Sequence, residues 1–180
     1  TPGDPAEVEA VVPVMVHTPG TCYLRLGRGG EPTLHTAPIE NYRLGQGLTL
    51  RTGTDIALLS AGGILTQTVS AAEKLAERGI SAEVVSFPTL KPIDRELILS
   101  LGKRFKHLIT VEEHTIIGGL GGAVCETLAE EGCPCRVHRM GMPDVYSCIV
   151  GTQQYLRQRY GMDDEAVAAK AEEILKEERA

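Results

Sequence analysis

Apolar and polar residues alternate along the chain with two different periods, which predicts a succession of helices and strands. The first helical pattern opens with Asp4, a favoured N-cap residue. Pro5 suits the first helical position, and Glu7 can complete a capping box. The apolar residues that follow recur at helical spacing: Val8, Val11, Val12 and Met15. We therefore predict an amphipathic helix that ends near residue 17.

The segment after this helix divides into a predicted strand and a predicted linker. Residues 21–26 are rich in residue types that favour strands. Residues 27–46 contain several glycines and two prolines and show no clear period, as is typical of a loop. We place a domain boundary here, with residues 1–30 as the end of one domain, residues 31–46 as a linker and residues 47–180 as a second domain.

Two short β-rich runs open the second domain. Residues 47–51 and 55–60 are separated by Thr52, Gly53 and Thr54, a combination that suits a tight reversal. We predict that the two runs pair as an antiparallel hairpin. The second run is almost entirely apolar, as expected of a strand that is covered on both faces.

Strand and helix patterns then alternate with short connections. Further strands are predicted at residues 82–87, 107–111 and 135–140. The predicted helices run from the turn after residue 60 to about residue 78, from Asp94 onward, over 119–130, over 153–160 and from Asp163 to the end. This alternation indicates an α/β fold in which a mostly parallel sheet carries helices on both faces.

Composition and charge disfavour several classes of function. Aromatic residues make up only 4% of the chain, so we expect an aliphatic core and no aromatic platform for stacking bases. The formal net charge of -6 argues against a nucleic-acid partner, because phosphate binding needs a local excess of Lys and Arg. No apolar run approaches the roughly 20 residues of a membrane span, so we expect no membrane partner.

The chain start and the cysteines indicate the protein's context. The chain begins at Thr1, without Met and without the basic and apolar stretches of a secretory leader, and we interpret it as a piece of a longer protein. The five cysteines are odd in number, so we expect reduced thiols in a cytoplasmic protein and no disulfide framework. Cys133, Cys135 and His138 lack a standard zinc spacing. We assign no metal ligand and interpret the cysteines as small buried hydrophobic residues.

A glycine-rich turn at residues 118–122 follows a predicted strand and opens a predicted helix, which is the position of a nucleotide-phosphate turn. Its spacing does not fit the dinucleotide fingerprint, because Val124 stands where the third glycine should be, and no P-loop lysine follows. We favour glycines that allow tight turning and close packing of helix on sheet. Anion binding at the helix start is the alternative.

Charged residues mark two further candidates. Glu112, Glu113 and His114 lie where a strand passes into that turn, at the carboxyl edge of the predicted sheet, where ligands often bind. Neighbouring side chains on a strand point to opposite faces, so the two glutamates are not a natural pair. We favour a role in loop and domain-contact structure, and Glu113 and His114 are candidates for a subunit interface or a position near an active site. Arg25 and Arg28 lie at a predicted strand end among glycines, where a guanidinium can hold a phosphate or carboxylate or form a surface salt bridge.

Several segments, in register, resemble transketolases. Residues 109–124, which read ITVEEHTIIGGLGGAV, are similar to the C-terminal domain of that family. They are similar more loosely to deoxyxylulose-phosphate synthases and to the β subunits of 2-oxoacid dehydrogenase E1. Residues 4–7 resemble the last helix of the family's pyrimidine-binding domain, and residues 20–30 resemble its closing strand. Three further segments match the family's pattern: Lys91-Pro92-Ile93-Asp94, Met142-Pro143-Asp144 and Tyr160-Gly161-Met162.

The resemblance implies the C-terminal section or subunit of a transketolase, in which the end of the pyrimidine-binding domain precedes a C-terminal domain. That domain has three layers, with helices on both sides of a mixed five-stranded sheet of four parallel strands and one antiparallel strand. The complete enzyme would be a homodimer that uses thiamine diphosphate and a divalent ion, Mg²⁺ or Ca²⁺, to transfer a two-carbon ketol unit between sugar phosphates of the pentose phosphate pathway.

The family's Gly-Asp-Gly metal motif and the segment with its cofactor-binding glutamate are not found in this sequence. The resemblance therefore implies a chain with no catalytic, cofactor-binding or metal-binding residue of its own. We expect it to be inactive alone and to need an N-terminal section or subunit as partner.

One substrate role carries over from the resemblance. In transketolases an arginine just after the closing strand of the pyrimidine-binding domain contacts the substrate phosphate; Arg28 matches it best and Arg25 second best. Two other functions stay open. The chain can be the same part of a deoxyxylulose-phosphate synthase or E1 β subunit, or a non-catalytic association or regulatory module that binds an effector at residues 118–122.

Overall fold

A computed structural model describes residues 1–179, which contain five strands and six helices. The strands, numbered in chain order, are β1 Leu48–Arg51, β2 Ile56–Ala61, β3 Ala82–Ser86, β4 His107–Thr115 and β5 Arg136–Met142. The helices are α1 Pro5–Val16, α2 Leu65–Glu77, α3 Arg95–Arg104, α4 Leu120–Glu130, α5 Gln153–Arg159 and α6 Asp164–Arg179.

The strands form one mixed sheet in the order β1-β3-β2-β4-β5. β2 pairs in parallel with β3 and β4, β4 pairs in parallel with β5, and β1 pairs antiparallel with β3. In the centre of the sheet Leu58 lies between Val84 and Ile109. The predicted fold of four parallel strands and one antiparallel strand is confirmed.

The predicted hairpin of β1 and β2 is wrong. β1 pairs with β3, on the far side from β4, while β2 lies between β3 and β4. Every residue of β2 is buried, so this strand requires a neighbour on each edge, whereas β1 alternates half-buried and exposed residues and suits the edge of the sheet. The connection passes beside the start of β3, where the backbone N–H groups of Thr54 and Asp55 both donate to the carbonyl oxygen of Ser81.

The two faces of the sheet carry separate aliphatic cores. Ile56 and Leu58 face α2 and α6, while Ala57 and Leu59 face α3 and α4. α6 contributes a buried stripe to the first core: Val167, Ala168, Ala171, Ile174 and Leu175. The second core contains the chain's two phenylalanines, Phe87 and Phe105. The arrangement is the predicted three-layer α/β/α architecture.

α1 begins as predicted but packs differently. The Asp4 side chain accepts from the N–H of Glu7, and Pro5 opens the helix. Glu7 reaches back to the N–H of Gly3, one residue before the expected capping-box partner. Of the predicted apolar stripe only Val11 is buried, because the helix rests on the domain through its first turns and no described layer covers the rest.

The predicted strand at residues 21–26 is not formed. These residues have no helix or strand assignment, and no strand within residues 1–179 pairs with them. An extended segment without a partner cannot make ladder hydrogen bonds. The stretch between Val16 and Leu48 has neither helix nor strand and includes the predicted linker at residues 31–46. The position of the domain boundary stays a prediction.

The cysteines are not the buried residues that we expected. Cys22 and Cys148 are exposed, and the other three are half-buried. Four of the five lie in connecting segments, where side chains reach the surface. None of the helices within residues 1–179 is both long enough and apolar enough to cross a membrane.

Gly53 is required by the close passage of the β1–β2 connection over β3. A Cβ atom there would lie 2.2 Å from the backbone nitrogen of Glu83, which cannot move without disturbing the sheet. We predict that Gly53→Ala lowers the free energy of unfolding by about 1–3 kcal/mol, as overpacking does. Chemical denaturation measures the change.

Gly122 gives a matched control, because it lies inside α4 and a Cβ there would meet nothing within 4 Å. Gly122→Ala should leave stability unchanged or raise it by up to about 1 kcal/mol. Equal effects of the two substitutions would contradict the role assigned to Gly53.

The contact between α2 and α6 predicts a pH dependence. Asp164 Oδ2 accepts from Ser70 Oγ at 2.7 Å and lies 3.2 Å from Lys74 Nζ. Burial alone would raise the pKa of Asp164, but the Ser70 hydroxyl and the Lys74 ammonium outweigh it, so the pKa is lowered. Folding therefore favours the charged carboxylate, and its stabilisation is present above the ordinary carboxyl pKa and is lost as the pH falls through the lowered pKa.

Asp164→Asn should therefore destabilise the protein at pH 7, by about 1 kcal/mol or less for so exposed a pair. The difference from the unchanged protein should shrink as the pH falls below the ordinary carboxyl pKa and disappear once the pH has passed through the lowered pKa of Asp164. Thermal unfolding across this pH range measures it. Asp144→Asn, in an exposed loop, is the control and should have no such dependence. A destabilisation by Asp164→Asn that persists at low pH would refute the electrostatic origin.

Candidate functional site

The carboxyl edge of the sheet faces a cavity of about 910 Å³. Its floor is formed by residues at and after the ends of β2, β3 and β4, and its cover by α1 and the extended segment that follows it. Two of the candidate residues from the sequence, Arg25 and His114, both line this cavity. The other candidates, Arg28 and Glu113, do not.

Arg25 lies on the cover of the cavity and is held against the sheet. Its Nη2 donates to the backbone carbonyl oxygen of Glu113 at 2.9 Å. The acceptor is neutral, so the positive charge of Arg25 is not compensated by this contact. Within residues 1–179 no carboxylate forms a salt bridge with it. Arg25 is therefore an oriented guanidinium with donors left for an anion.

Arg28 lies a short way along the same segment, in a glycine turn. Gly29 and Gly30 have φ angles of +100° and +95°, which L side chains rarely adopt, so the turn depends on glycine. The turn borders a separate depression of about 390 Å³ against the start of α1. Arg28 is exposed, and no hydrogen bond or ion pair joins its side chain to another residue in the described part of the chain. Arg25 thus lines the large cavity, whereas Arg28 lines the smaller depression beside it.

The two adjacent glutamates of β4 have separate roles, as the strand geometry predicted. Glu113 forms a bidentate pair with Arg157, with Nε–Oε1 and Nη2–Oε2 distances of 3.1 and 2.8 Å. Gln153 Nε2 also donates to both carboxylate oxygens. The Arg157 side chain is only 9% exposed, so this pair fixes α5 on the end of β4. Glu113 holds two elements of this chain together, as a domain-contact residue does, and its role at a subunit interface stays a prediction.

Glu112 is buried and occupies the start of α4. Its two oxygens accept from the backbone N–H groups of Leu120 at 2.7 Å and Gly121 at 2.9 Å. A negative charge at a helix N-terminus is favourable, and here it comes from the chain itself. The N–H groups that would bind an external anion are therefore already paired. This disfavours the alternative in which an effector binds at residues 118–122.

The glycines of that turn make this contact possible. A Cβ on Gly119 would lie 1.9 Å from Glu112 Oε2, and a Cβ on Gly121 would lie 2.8 Å from Thr110 Oγ1. Gly118 has a φ angle of +76°, which places the turn in a glycine conformation. The interpretation that these glycines serve turning and close packing accounts for the geometry.

His114 is exposed on the cavity wall. Its Nδ1 lies 2.8 Å from the carbonyl oxygen of Thr115, so Nδ1 carries the proton, and Nε2 remains for other contacts. Glu112 and Glu113 are both engaged elsewhere, so His114 has no carboxylate partner from β4. The described residues at this edge do not form an acid–base pair.

Sequence reasoning missed a buried polar cluster made by Asp4, Glu7 and His35. His35 Nδ1 lies 3.1 Å from Asp4 Oδ2, and His35 Nε2 lies 3.7 Å from Glu7 Oε1. Both carboxylate side chains are fully buried. The spacing of Asp4 and Glu7 was interpreted only as helix capping, and nothing in the local pattern connects either to a histidine in the linker.

The pKa values of the two carboxyl groups shift in opposite directions, although burial acts to raise both. Burial would raise the pKa of Asp4, but the N–H groups of Glu7, Leu34 and His35 and the His35 ring together lower it. Glu7 has fewer donors around it, and burial raises its pKa. Asp4 is thus held as a carboxylate that ties α1 to the linker.

A pair of histidines marks the opposite, amino edge of the sheet. His107 Nδ1 and His138 Nε2 are 3.0 Å apart, beside a groove of about 530 Å³. Burial and the neighbouring His107 lower the pKa of His138. Burial raises the pKa of Cys135 to about 11, so without a metal this thiol is protonated at neutral pH.

The chain is similar in sequence to proteins of the transketolase family. Residues 45–167 match the sequence profile of the transketolase C-terminal domain. The chain is 35% identical over 166 residues to a subunit of the apulose-4-phosphate transketolase of Actinobacillus succinogenes, and the match covers 92% of this chain and 53% of that protein. It is 37% identical over 180 residues to the 1-deoxy-D-xylulose-5-phosphate synthase of Symbiobacterium thermophilum, with 97% of this chain and 27% of that protein covered.

A solved structure described as a split-gene transketolase, an inactive β4 tetramer, superposes with a TM-score of 0.89 at 36% identity. The superposition covers 97% of this chain and 56% of that one. The chain thus spans about half the length of its apulose-4-phosphate transketolase relative. Its sheet order, its capped glycine turn and these matches agree, and the chain belongs to the transketolase family, with residues 45–167 as a transketolase C-terminal domain.

Proposed function

We propose that the chain is the C-terminal part of a thiamine-diphosphate-dependent transketolase that transfers a two-carbon ketol unit between sugar phosphates. In this proposal it contributes assembly surface and a contact to the substrate phosphate, and it is not catalytic alone. The observation that carries the phosphate role is the uncompensated guanidinium of Arg28 in its glycine turn. The family match supports the reaction class.

Arg28 suits a phosphate better than an internal contact. A guanidinium that already pairs with a carboxylate has to give up that pair when an anion binds, which lowers the net affinity. No salt bridge within residues 1–179 involves Arg28, and Arg28, Gly29 and Gly30 are all exposed to solvent. Arg25 is the second candidate, because it faces the larger cavity with its charge also uncompensated.

The two glutamates at the carboxyl edge of the sheet do not fit a divalent ion bound to thiamine diphosphate. A pyrophosphate-bound ion needs free oxygen ligands. At the carboxyl edge of the sheet Glu112 is bound to the start of α4, and Glu113 is bound to Arg157. We therefore assign the cofactor and its metal to other segments of the complete enzyme.

An N-terminal section or subunit is the proposed partner, within a homodimer of the complete enzyme. The chain aligns with only about half of its apulose-4-phosphate transketolase relative. The N-terminal segment exposes large apolar side chains that a partner can cover: Val12, Val16, Tyr23 and Leu26. Tyr23 is 84% exposed on an extended segment that pairs with no strand in the described part of the chain, which suits addition to another sheet.

The runner-up is the same part of a deoxyxylulose-phosphate synthase or of an E1 β subunit. The 37% identity to a deoxyxylulose-phosphate synthase supports the first of these. The reconstituted enzyme discriminates among them: a transketolase acts on ketose phosphate donors, a deoxyxylulose-phosphate synthase consumes pyruvate, and only E1 should bind a lipoyl acyltransferase core. If the reconstituted protein catalysed neither reaction and did not bind the lipoyl acyltransferase core, that result would support a non-catalytic module.

Arg28→Ala tests the phosphate contact in the enzyme reconstituted with its N-terminal partner. Loss of a hydrogen-bonded charge pair should lower kcat/KM for a phosphorylated acceptor by about 10- to 100-fold. Mostly KM should rise, because the contact is remote from the transferred carbons. For an unphosphorylated acceptor aldose the variant and the unchanged enzyme should be equal.

Arg51 is an exposed arginine on edge strand β1, and Arg51→Ala is the matched control. It should leave kcat/KM unchanged for both the phosphorylated and the unphosphorylated acceptor. Arg25→Ala separates the second candidate: a loss confined to the phosphorylated acceptor would move the role to Arg25. Full activity of Arg28→Ala with the phosphorylated acceptor would refute the assignment of Arg28, while the ketol-transfer assay itself tests the reaction class.

A further inference from the structure

The polar cluster under α1 contains atoms that the protein alone does not satisfy. Glu7 Oε1, His35 Nε2 and Ser86 Oγ are all buried, and none of them has a hydrogen-bond partner among residues 1–179. They come from three separate parts of the chain: the first turn of α1, the linker and the end of β3. Orphaned buried polar atoms are costly and rare in folded proteins. Three of them in one place indicate a missing ligand.

The hydrogen bond between His35 and Asp4 sets the chemistry of the histidine. The carboxylate of Asp4 only accepts, so His35 Nδ1 donates the proton over the 3.1 Å between them. In the neutral ring the Nε2 atom then carries a lone pair. A carboxylate that orients an imidazole through its Nδ1–H, leaving Nε2 free, is the arrangement found behind metal-ligating histidines.

The Oε1 atom of Glu7 faces the lone pair on His35 Nε2. Its Oε2 accepts from the N–H of Gly3 at 2.6 Å, while Oε1 lies 3.7 Å from His35 Nε2. Ser86 is fully buried, and its hydroxyl lies close enough to Glu7 to lower the pKa of that carboxyl, although no hydrogen bond of good geometry forms. When Glu7 is ionised, the lone pairs of its Oε1 and of His35 Nε2 face each other and repel unless a cation or a donor lies between them.

The charge of the cluster is also unbalanced. Asp4 and Glu7 are both fully buried, and their salt bridges within residues 1–179 are with His35. Asp4 is already saturated by backbone N–H donors and the His35 ring. Glu7 is therefore the carboxylate with an oxygen available for a cation.

We propose that this cluster binds a divalent transition-metal ion of the zinc class through His35 Nε2 and Glu7 Oε1. One ligand atom from each of Asp4, Glu7 and His35 lies within 4.8 Å of the others. The 3.7 Å between Nε2 and Oε1 is about the spacing of two neighbouring ligands around an ion with bonds of roughly 2.0–2.2 Å. Ser86 Oγ or water completes the coordination, and Asp4 orients the ring.

Imidazole nitrogen selects this class of ion over others. Mg²⁺ and Ca²⁺ prefer sites built from oxygen alone, whereas zinc accepts nitrogen and carboxylate oxygen together. The site is distinct from the family's cofactor metal, whose motif this sequence lacks. A metal here would join α1, the linker and β3. We therefore expect it to stabilise the packing of the N-terminal segment on the sheet domain.

Zinc titration of the chelator-treated chain tests the proposal by calorimetry and thermal unfolding. We expect one ion per chain and a rise in Tm of about 5–10 °C when zinc is a hundredfold above Kd. Mg²⁺ at the same excess should produce no rise. Absence of saturable zinc binding or of the Tm shift would overturn the proposal.

Two substitutions remove the ligands while keeping the fold. His35→Asn retains a donor toward Asp4 but lacks Nε2, and Glu7→Gln retains an acceptor for Gly3 while its amide can donate to His35. Each should keep the circular dichroism of the unchanged chain, bind zinc at least tenfold more weakly and lose the Tm shift. Binding of unchanged affinity in His35→Asn would refute the site.

Other cysteine and histidine side chains could also bind zinc, so those at the opposite edge of the sheet need a control. Cys133→Ser/Cys135→Ser and His138→Asn remove the thiols and the histidine at the opposite edge of the sheet. Both variants should keep the one-to-one binding and the Tm shift. If either loses them while His35→Asn keeps them, the ion binds at the opposite edge and the proposal is wrong.

Discussion

Burial of β2 on both faces is the constraint on which the rest of the structure depends. All six residues of this strand are buried, and alternate side chains enter the two cores. Such a strand needs a hydrogen-bonded neighbour on each edge and an apolar layer on each face. β3 and β4 supply the edges, and the helices supply the layers. β1, which is half-polar, is thereby excluded from the centre and pairs with β3, and the carboxyl ends of β2 and β4 meet where the N-terminal segment returns.

That carboxyl edge is where ligands bind in many α/β proteins, but here its polar groups hold the chain to itself. Glu112 neutralises the start of α4, and Glu113 pairs with Arg157 from α5. A carboxylate fixed on a helix N-terminus makes an external anion unnecessary there. The two candidate phosphate-binding arginines, Arg25 and Arg28, lie instead on the N-terminal segment. The fold therefore separates a structural domain from a short segment that carries the candidate chemistry.

Local signals predicted the elements of this fold well, and long-range pairing poorly. The caps Asp4, Asp94 and Asp163 all accept backbone N–H groups, because a cap depends on residues within one turn. The hairpin failed because the turn chemistry around Gly53 is compatible with two pairings, and the choice depends on the burial of β2 by residues far along the chain. The strand at residues 21–26 failed for a related reason, since strand formation requires a partner. His35 was missed because no sequence period links a linker residue to Asp4.

The N-terminal segment is held on the sheet domain by polar contacts more than by apolar packing. α1 buries Glu7 and Val11 but leaves Val12 and Val16 exposed, so apolar packing holds it only in part. Polar contacts supply the rest: Asp4 binds the N–H groups of Glu7, Leu34 and His35, and Arg25 binds the carbonyl oxygen of Glu113. Polar contacts are directional, whereas apolar contacts permit sliding. A segment placed by directional bonds can hold an arginine at a defined distance from the sheet edge while its apolar side remains available to the rest of the enzyme. The position of Arg28 then depends on the cluster around Asp4, so a ligand that stabilises that cluster would also stabilise the proposed phosphate contact.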